Sequence, residues 1–150
     1  MKDRITIRPA EQKDWASIAS IHAQCFSCIG QTKEDIIAVL KTESSAYFFI
    51  VAEMGKNVQG YAIASTGGRQ AYFSWMGVLR SAEKRGIGSK LISEIEKWSS
   101  EKHCASITLD SRNRFKKAVR LYLSNEYDIS GTWIGSDEEL MIRMKKPLRK

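Results

Sequence analysis

The sequence predicts an α/β domain in which helices flank a central mixed β-sheet. The chain has 150 residues, a length that suits one domain with a sizeable core. Its hydrophobic periodicity changes in the order β-α-α-β-β-β-α-β-α-β-β. Hairpins early and late indicate antiparallel strands, whereas one central strand–helix–strand unit favours parallel pairing. No repeat or linker divides residues 1–150, so we expect one domain.

The first elements are a short strand and two helices. Ile5 and Ile7 alternate with polar residues before Pro9, which is typical of a strand. Apolar residues then recur at helical spacing from residue 15 to residue 26. Thr32, with Asp35 three residues later, resembles a capping box and predicts the start of the second helix.

The middle of the chain predicts three consecutive strands. Residues 46–52 and 58–64 are β-rich apolar runs joined by a short turn, so they indicate a hairpin. After the turn at Gly67-Gly68, residues 71–79 form a longer run that is rich in aromatic side chains. These runs predict the second, third and fourth strands of the sheet.

The second half alternates helices and strands and ends in a hairpin. An apolar stripe at helical spacing begins after Gly86 and ends near Lys102. A strand follows at 105–109, and Phe115, Ala118, Val119 and Tyr122 then share one face of another helix. Residues 127–144 read as two strands joined near 135–138.

Composition narrows the functional classes. Hydrophobic residues make up 43% and charged residues 27%, with no apolar run long enough to span a membrane. The start, MKDRITIRPA, lacks the apolar segment of a secretory signal. Three cysteines are an odd count, which argues against a disulfide framework. We therefore expect a cytoplasmic protein without membrane contacts.

The net charge of +7 is concentrated between residues 80 and 120. That stretch contains eleven lysines and arginines against five acidic residues. A basic region of this kind binds nucleic acid, an acidic protein or a polyanionic small ligand, or it is simply a solvated face.

Residues 78–92, VLRSAEKRGIGSKLI, combine a strand end, two glycines and a helix start. The first turn of a helix has unpaired N–H groups and a positive dipole end, so it attracts anions. Gly86 and Gly88 have no β-carbon, and phosphate oxygens can therefore approach the chain. Lys84, Arg85 and Lys90 add positive charge. A plain strand–helix turn is the alternative interpretation, since G-x-G alone is a weak motif.

This stretch resembles the acyl-CoA pyrophosphate loop of the GCN5-related N-acetyltransferase (GNAT) family, V-x-P-x-x-[QR]-G-x-G-x-[GA]. Val78, Gly86 and Gly88 match. Arg80 replaces the usual Pro, Glu83 the usual Gln or Arg, and Lys84 the usual first Gly. Glu83 brings a carboxylate to a phosphate site, which is repulsive unless its side chain turns outward.

Two further segments are similar to the same family. IRPAEQKD near the start resembles its first strand and helix. AVRLYLSNEY, residues 118–127, resembles its A-x-x-L-Y-x-x-x-G-F segment, with Glu126 for Gly and Tyr127 for Phe. The Asn that is usual three residues before Ala118 is Phe115 here.

The resemblance implies a mixed, mostly antiparallel sheet and acetyl-CoA as cosubstrate, with no metal. The pantetheine arm would lie between the strand ending near Leu79 and the strand starting at Ala105, where the strands splay. Backbone groups of Met76 and Val78 would contact this arm. The residues expected to bind the pyrophosphate form the following turn: Lys84, Arg85, Gly86, Ile87, Gly88 and Ser89.

The implied reaction is direct attack of an amine on the thioester, without a covalent enzyme intermediate. By resemblance, Tyr122 would protonate the departing CoA thiolate. Many relatives carry a base Glu on the fourth strand, but AYFSWMGVL contains no carboxylate. The nearest candidate is Asp110, where ribosomal-protein N-terminal acetyltransferases have a Glu in a similar context. A turn or helix cap before Arg112 is the alternative role for Asp110.

These patterns leave several questions open. The acceptor is an amine of a peptide, a protein or a small molecule. Trp15, Phe26 and Trp133 are expected near its pocket but do not define it, and a homodimer is one option for the assembly. The alternatives are an acyl-CoA-binding regulatory domain and, less favoured, a basic nucleic-acid-binding module.

Three other sets of residues carry weaker signals. Cys25 and Cys28, with His103 and Cys104, have residue types that suit zinc, but a buried structural cysteine is favoured. His22 is expected to pack on a helix face. The cations from Arg112 to Arg120 face either the CoA 3′-phosphate, an acidic substrate or solvent.

Overall fold

The computed structural model describes residues 4–148. Those residues form four α-helices and seven strands in the predicted order, together with three short 3-10 helices. Their bounds are β1 Ile5–Pro9, α1 Trp15–Phe26, α2 Lys33–Leu40, β2 Tyr47–Met54, β3 Asn57–Gly67, β4 Gln70–Val78, α3 Ile87–Glu101, β5 Ser106–Arg112, α4 Lys116–Ser124, β6 Asp128–Ile134 and β7 Leu140–Pro147.

The strands form one sheet with the order β1-β2-β3-β4-β5-β7-β6. Every neighbouring pair is antiparallel except β4 and β5, which are parallel and are connected through α3. The predicted mixed and mostly antiparallel sheet is therefore confirmed. β7 lies between β5 and β6, so the final hairpin adds to the sheet with its second strand innermost.

Local sequence signals explain several element boundaries. The Thr32 hydroxyl accepts from the Asp35 N–H at 3.2 Å, and the Asp35 carboxylate accepts from the Thr32 N–H at 2.8 Å. This reciprocal pair is a capping box and begins α2 as expected. The strands of the first hairpin are longer than predicted, because pairing continues to a tight turn at Gly55, whose φ is 64°.

Two apolar layers cover the two faces of the sheet. The α3 stripe packs on one face, and Ile87, Leu91 and Ile95 are each at most 2% exposed. Burying a side chain of this size stabilises the fold by about 1.5–3 kcal/mol. On the other face, α1 and α2 pack against residues that include Tyr61 and Ile63. No helix within residues 4–148 has the length and apolarity needed to cross a bilayer.

Candidate active site

The parallel strands β4 and β5 pair over only part of their length. Their register runs from Gln70↔Ser106 to Phe73↔Leu109, yet β4 continues to Val78. A register shift between β3 and β4 leaves Ser74 without a partner at the point where the two parallel strands separate. Among residues 4–148, no strand therefore pairs with the β5-facing edge of residues 74–78, which includes Met76 and Val78. An open strand edge can pair with an extended ligand.

The turn that follows β4 has the backbone form of a glycine-rich loop. Lys84 has φ 69° and Gly86 has φ 81°, and Gly86 directly precedes α3. A non-glycine residue pays about 1–2 kcal/mol for this left-handed conformation. Lys84 stands where the resembled family usually has glycine, and the backbone keeps the shape that glycine favours.

The same turn presents a series of free N–H groups. Within residues 4–148, the N–H groups from Arg85 to Ser89 have no acceptor, and no side chain caps α3. The first helical bond runs from the Lys90 N–H to the Gly86 oxygen at 3.1 Å. Lys84, Arg85 and Lys90 are exposed beside these donors. The arrangement attracts a polyanion such as a pyrophosphate.

The two glycines of the turn have different roles. A β-carbon added at Gly86 would meet nothing within 4 Å, so the space above this residue is open. A β-carbon at Gly88 would lie 2.7 Å from Leu121 Cδ2 on α4. The missing β-carbon of Gly88 thus allows close packing of α3 on α4, and the phosphate contact expected at both glycines stays a prediction.

The Glu83 carboxylate turns away from the free N–H groups. It receives a hydrogen bond from the Lys117 ammonium on α4 at 3.1 Å. Because the Glu83 side chain turns outward in this way, its carboxylate is compatible with an anion site at the turn. The same contact gives an ion-pair partner to Lys117, one of the cations between residues 80 and 120.

Tyr122 points inward from α4, as its helical face predicted. Its ring packs edge-on against Phe73 at 5.9 Å and Tyr127 at 5.8 Å between ring centres, and the residue is 8% exposed. Burial raises the pKa of its phenol above the ordinary value. Tyr122 is therefore protonated at neutral pH, which is the form that can donate a proton.

Asp110 lies on the opposite face of β5 from Tyr122 and is already paired. Its two carboxylate oxygens accept from Arg143 at 2.8 and 3.0 Å and from the Tyr72 hydroxyl at 2.7 Å. Burial raises the pKa of Asp110, but the hydrogen bonds from Arg143 and Tyr72 outweigh it, so its pKa lies below the usual range. Asp110 is thus within a strand, not a turn or helix cap, and it is a weak base in this state.

Three half-buried rings bridge the splayed strands on the α1 face of the sheet. The ring centres of Trp75 on β4 and Phe26 are 5.1 Å apart. Those of Phe26 and Phe115, the residue that directly precedes α4, are 6.0 Å apart. Phe115 replaces the Asn expected at this position. We call Phe26, Trp75 and Phe115 the aromatic bridge.

His22 packs against Trp75 of the aromatic bridge. It is fully buried, and its ring centre is 4.7 Å from that of Trp75. Nδ1 pairs with the Tyr61 hydroxyl at 2.5 Å and Nε2 with Gln31 Oε1 at 2.8 Å. Burial lowers the pKa of His22, so the ring is neutral at neutral pH.

Two further arginines and one cysteine near the site have local partners. Arg112 pairs with Asp137 and Glu139, and Arg114 pairs with Glu139 at 2.9 Å. The Cys25 thiol is 3.6 Å from the Val78 oxygen. In the described part of the chain, no group of three His, Cys, Asp or Glu side chains could hold a metal ion.

Comparison with known proteins identifies the family. The model of the Acetyltransferase (GNAT) family matches residues 15–126. The chain belongs to the GNAT acetyltransferase family. The expected resemblance is confirmed, and a comparison with curated proteins finds no match.

Solved GNAT structures share the whole fold. Ard1 from Thermoplasma volcanium has a TM-score of 0.83 at 22% identity over 97% of this chain and 99% of its own. The ribosomal-protein-S18-alanine N-acetyltransferase from Escherichia coli has a TM-score of 0.80 at 17% identity over 98% and 96%. The yncA protein from Salmonella typhimurium, solved with its cofactor acetyl-CoA, has a TM-score of 0.79 at 18% identity over 97% and 95%.

Sequence reasoning about this GNAT protein missed two neighbours of Asp110. Tyr72 alternates with the buried Ala71 and Phe73, so the sequence pattern could have predicted that Tyr72 points outward. The contact with Arg143 could not be predicted, because the position of Arg143 opposite Asp110 depends on the β5–β7 register.

Proposed function

We propose that this protein is an acetyl-CoA-dependent N-acetyltransferase that transfers the acetyl group by direct attack of an amine. The observation that carries the proposal is the continuity of two features. The free edge of β4 at residues 74–78 is followed, after a short 3-10 helix at Arg80–Ala82, by the turn of unpaired N–H groups at 85–89. An open strand edge suits an amide-bearing arm, and the turn suits a pyrophosphate.

The protein's own groups have three tasks in this reaction. The turn binds the diphosphate, while the backbone of Met76 and Val78 orients the arm between the strands. The amine nitrogen bonds to the carbonyl carbon, the carbon–sulfur bond breaks, and the Tyr122 hydroxyl gives its proton to the sulfur. The nitrogen loses one proton to a base or to solvent, and the Tyr122 phenolate takes up a proton from solvent after CoA leaves. Phe73, beside Tyr122, lies at the last paired position before the strands separate, which supports this role.

Asp110 is the candidate from the sequence for accepting the proton that the amine loses. Asp110→Asn tests it through the pH dependence of kcat/KM. A rate that falls at neutral pH and recovers at higher pH supports Asp110 as the base, because more amine is already neutral there. An unchanged profile removes Asp110 from proton transfer.

The proposed function is tested by release of CoA thiol from acetyl-CoA with a panel of amines, alongside calorimetry of CoA binding. We expect saturable binding and amine-dependent thiol release. Binding without release on any amine would favour the regulatory acyl-CoA-binding domain, for which the paired Asp110 is the supporting observation. Absence of CoA binding would overturn both.

A further inference from the structure

The side chains around the aromatic bridge restrict the kind of amine that can react, and this inference rests on the proposed function. The bridge runs from Trp75, on the unpaired stretch of β4, through Phe26 at the end of α1 to Phe115, which follows β5, on the face opposite Tyr122. An acceptor that approaches the open edge of β4 from this side passes these rings. They offer apolar surface and no hydrogen-bonding carboxylate.

The charged groups in this neighbourhood are paired with each other. Asp110 holds Arg143. Arg112 pairs with both Asp137 and Glu139, while Arg114 pairs with Glu139. Three arginines thus balance three carboxylates here, whereas Glu138, between Asp137 and Glu139, forms no ion pair with the described residues. The net acidic charge that would attract a polycationic amine is therefore small.

Two neighbouring titratable side chains, His22 and Tyr72, are also engaged. Both nitrogens of His22 are hydrogen bonded in a fully buried site. The Tyr72 hydroxyl donates to Asp110, and burial together with this bond raises the pKa of Tyr72 to about 12. Neither group is available to take a proton from an ammonium at neutral pH.

Because Asp110 is held by Arg143 and Tyr72, an amine that arrives already neutral has the advantage in this site. The amino group of a peptide terminus has an ordinary pKa of about 8, against about 10.4 for lysine. At pH 7.5 the neutral fraction of the former is therefore about two-hundredfold larger. The lower pKa therefore favours an α-amine as the acceptor, and the aromatic bridge favours an apolar side chain next to that amine.

We propose that the acceptor is the α-amino group of a peptide or protein N-terminus whose first side chain is apolar. The first side chain packs on Phe26, Trp75 and Phe115 while the α-amine reaches the open edge of β4. The amine of a lysine side chain is mostly protonated at neutral pH, and a polyamine has no apolar side chain next to its amine.

Three short peptide amides test this proposal by thiol release and mass spectrometry. One begins with phenylalanine and contains no lysine, the second has a blocked terminus and one lysine beside phenylalanine, and the third begins with glycine. At pH 7.5 we expect kcat/KM for the first to exceed that for the second by at least tenfold, with the gap narrowing towards pH 10. We expect the first to exceed the third as well.

Two variants test the role of the bridge. Phe26→Ala should reduce kcat/KM about tenfold for the phenylalanine peptide and much less for the glycine peptide, because only the former loses apolar contact. Phe26→Leu, which keeps apolar volume, should retain most of the preference. Thermal unfolding of each variant verifies that it is folded.

The outcomes separate this proposal from the proposed function. Faster acetylation of the lysine peptide at pH 7.5, or of another amine such as a polyamine, would overturn the acceptor proposal while leaving the acetyltransferase intact. An equal effect of Phe26→Ala on both free-terminus peptides would overturn the role of the bridge. No thiol release with any amine would instead remove the proposed function.

Discussion

Asp110 and Arg143 stand directly opposite each other on β5 and β7, and the guanidinium holds both carboxylate oxygens at 2.8 and 3.0 Å. The pair joins the end of β5 to the final hairpin on the face used by the proposed acceptor. Arg143 also lies over the ring of Trp133, 5.4 Å from its centre. Trp133, expected near the pocket, therefore helps to fix the ion pair that neutralises Asp110.

Loss of this ion pair should destabilise the protein in a pH-dependent way. The folded pKa of Asp110 is lowered, so its contribution is present above the unfolded pKa of about 3.9 and is lost as pH falls through the folded value. We expect Arg143→Gln to reduce the melting temperature by about 1–3 °C at pH 7, since partly exposed pairs contribute about 0.2–1 kcal/mol. Calorimetry at pH 7 and pH 3 measures the difference.

The matched control for Arg143→Gln is Arg120→Gln. Arg120 is exposed on α4 and forms no ion pair with the described residues. It should change the melting temperature little at either pH. A destabilisation by Arg143→Gln that is the same at pH 3 as at pH 7 would contradict the role of Asp110.

Much of the fold follows from sequence because its signals are local. The α3 stripe, the Thr32 capping box and the turn residues each act within about one helical turn. The contacts around Asp110 could not be predicted in this way. Arg143 and Tyr72 reach Asp110 through strand register, and Gly88 meets Leu121 through packing of two helices. Such distances depend on tertiary structure that a single sequence does not specify.

Gly86 should be required for CoA binding because of its backbone conformation and the open space above it. Gly86→Ala adds a β-carbon at φ 81° in front of the free N–H groups, and we expect CoA affinity to fall at least tenfold in calorimetry. Gly68→Ala is the control, since Gly68 also has a positive φ and open surroundings but lies in the β3–β4 turn. Equal CoA affinity in the two variants would refute the assignment of the turn.

Lys84 combines a strained backbone with a useful charge, and two substitutions separate these effects. Lys84→Ala and Lys84→Gly both remove the ammonium, so both should weaken CoA binding by a similar factor that shrinks in high salt. Lys84→Gly also relieves the left-handed conformation at φ 69°. We expect it to be more stable than Lys84→Ala by about 1 kcal/mol in chemical denaturation. Equal stability of the two variants would show that Lys84 carries no strain.

Tyr122 is the side chain most directly tied to the chemistry, and its hydroxyl can be removed alone. Tyr122→Phe keeps the ring contacts with Phe73 and Tyr127, so folding and acetyl-CoA affinity should persist. General acids contribute about 10²–10⁴-fold, and we expect kcat to fall about a hundredfold if proton transfer limits the rate. Because burial raises the pKa of Tyr122, the wild-type rate should show no loss from Tyr122 ionisation below about pH 10.

Tyr127→Phe is the control that distinguishes proton donation from loss of a buried hydroxyl. The Tyr127 ring is 5.8 Å from that of Tyr122, and its hydroxyl, near Glu96, is buried without a hydrogen bond of normal geometry to the described residues. Removing an unsatisfied buried hydroxyl should leave stability unchanged or raise it, with kcat retained. If single-turnover kinetics show that chemistry is rate-limiting and Tyr122→Phe stays within about twofold of wild type, Tyr122 is a core aromatic, and the thiolate takes its proton from solvent.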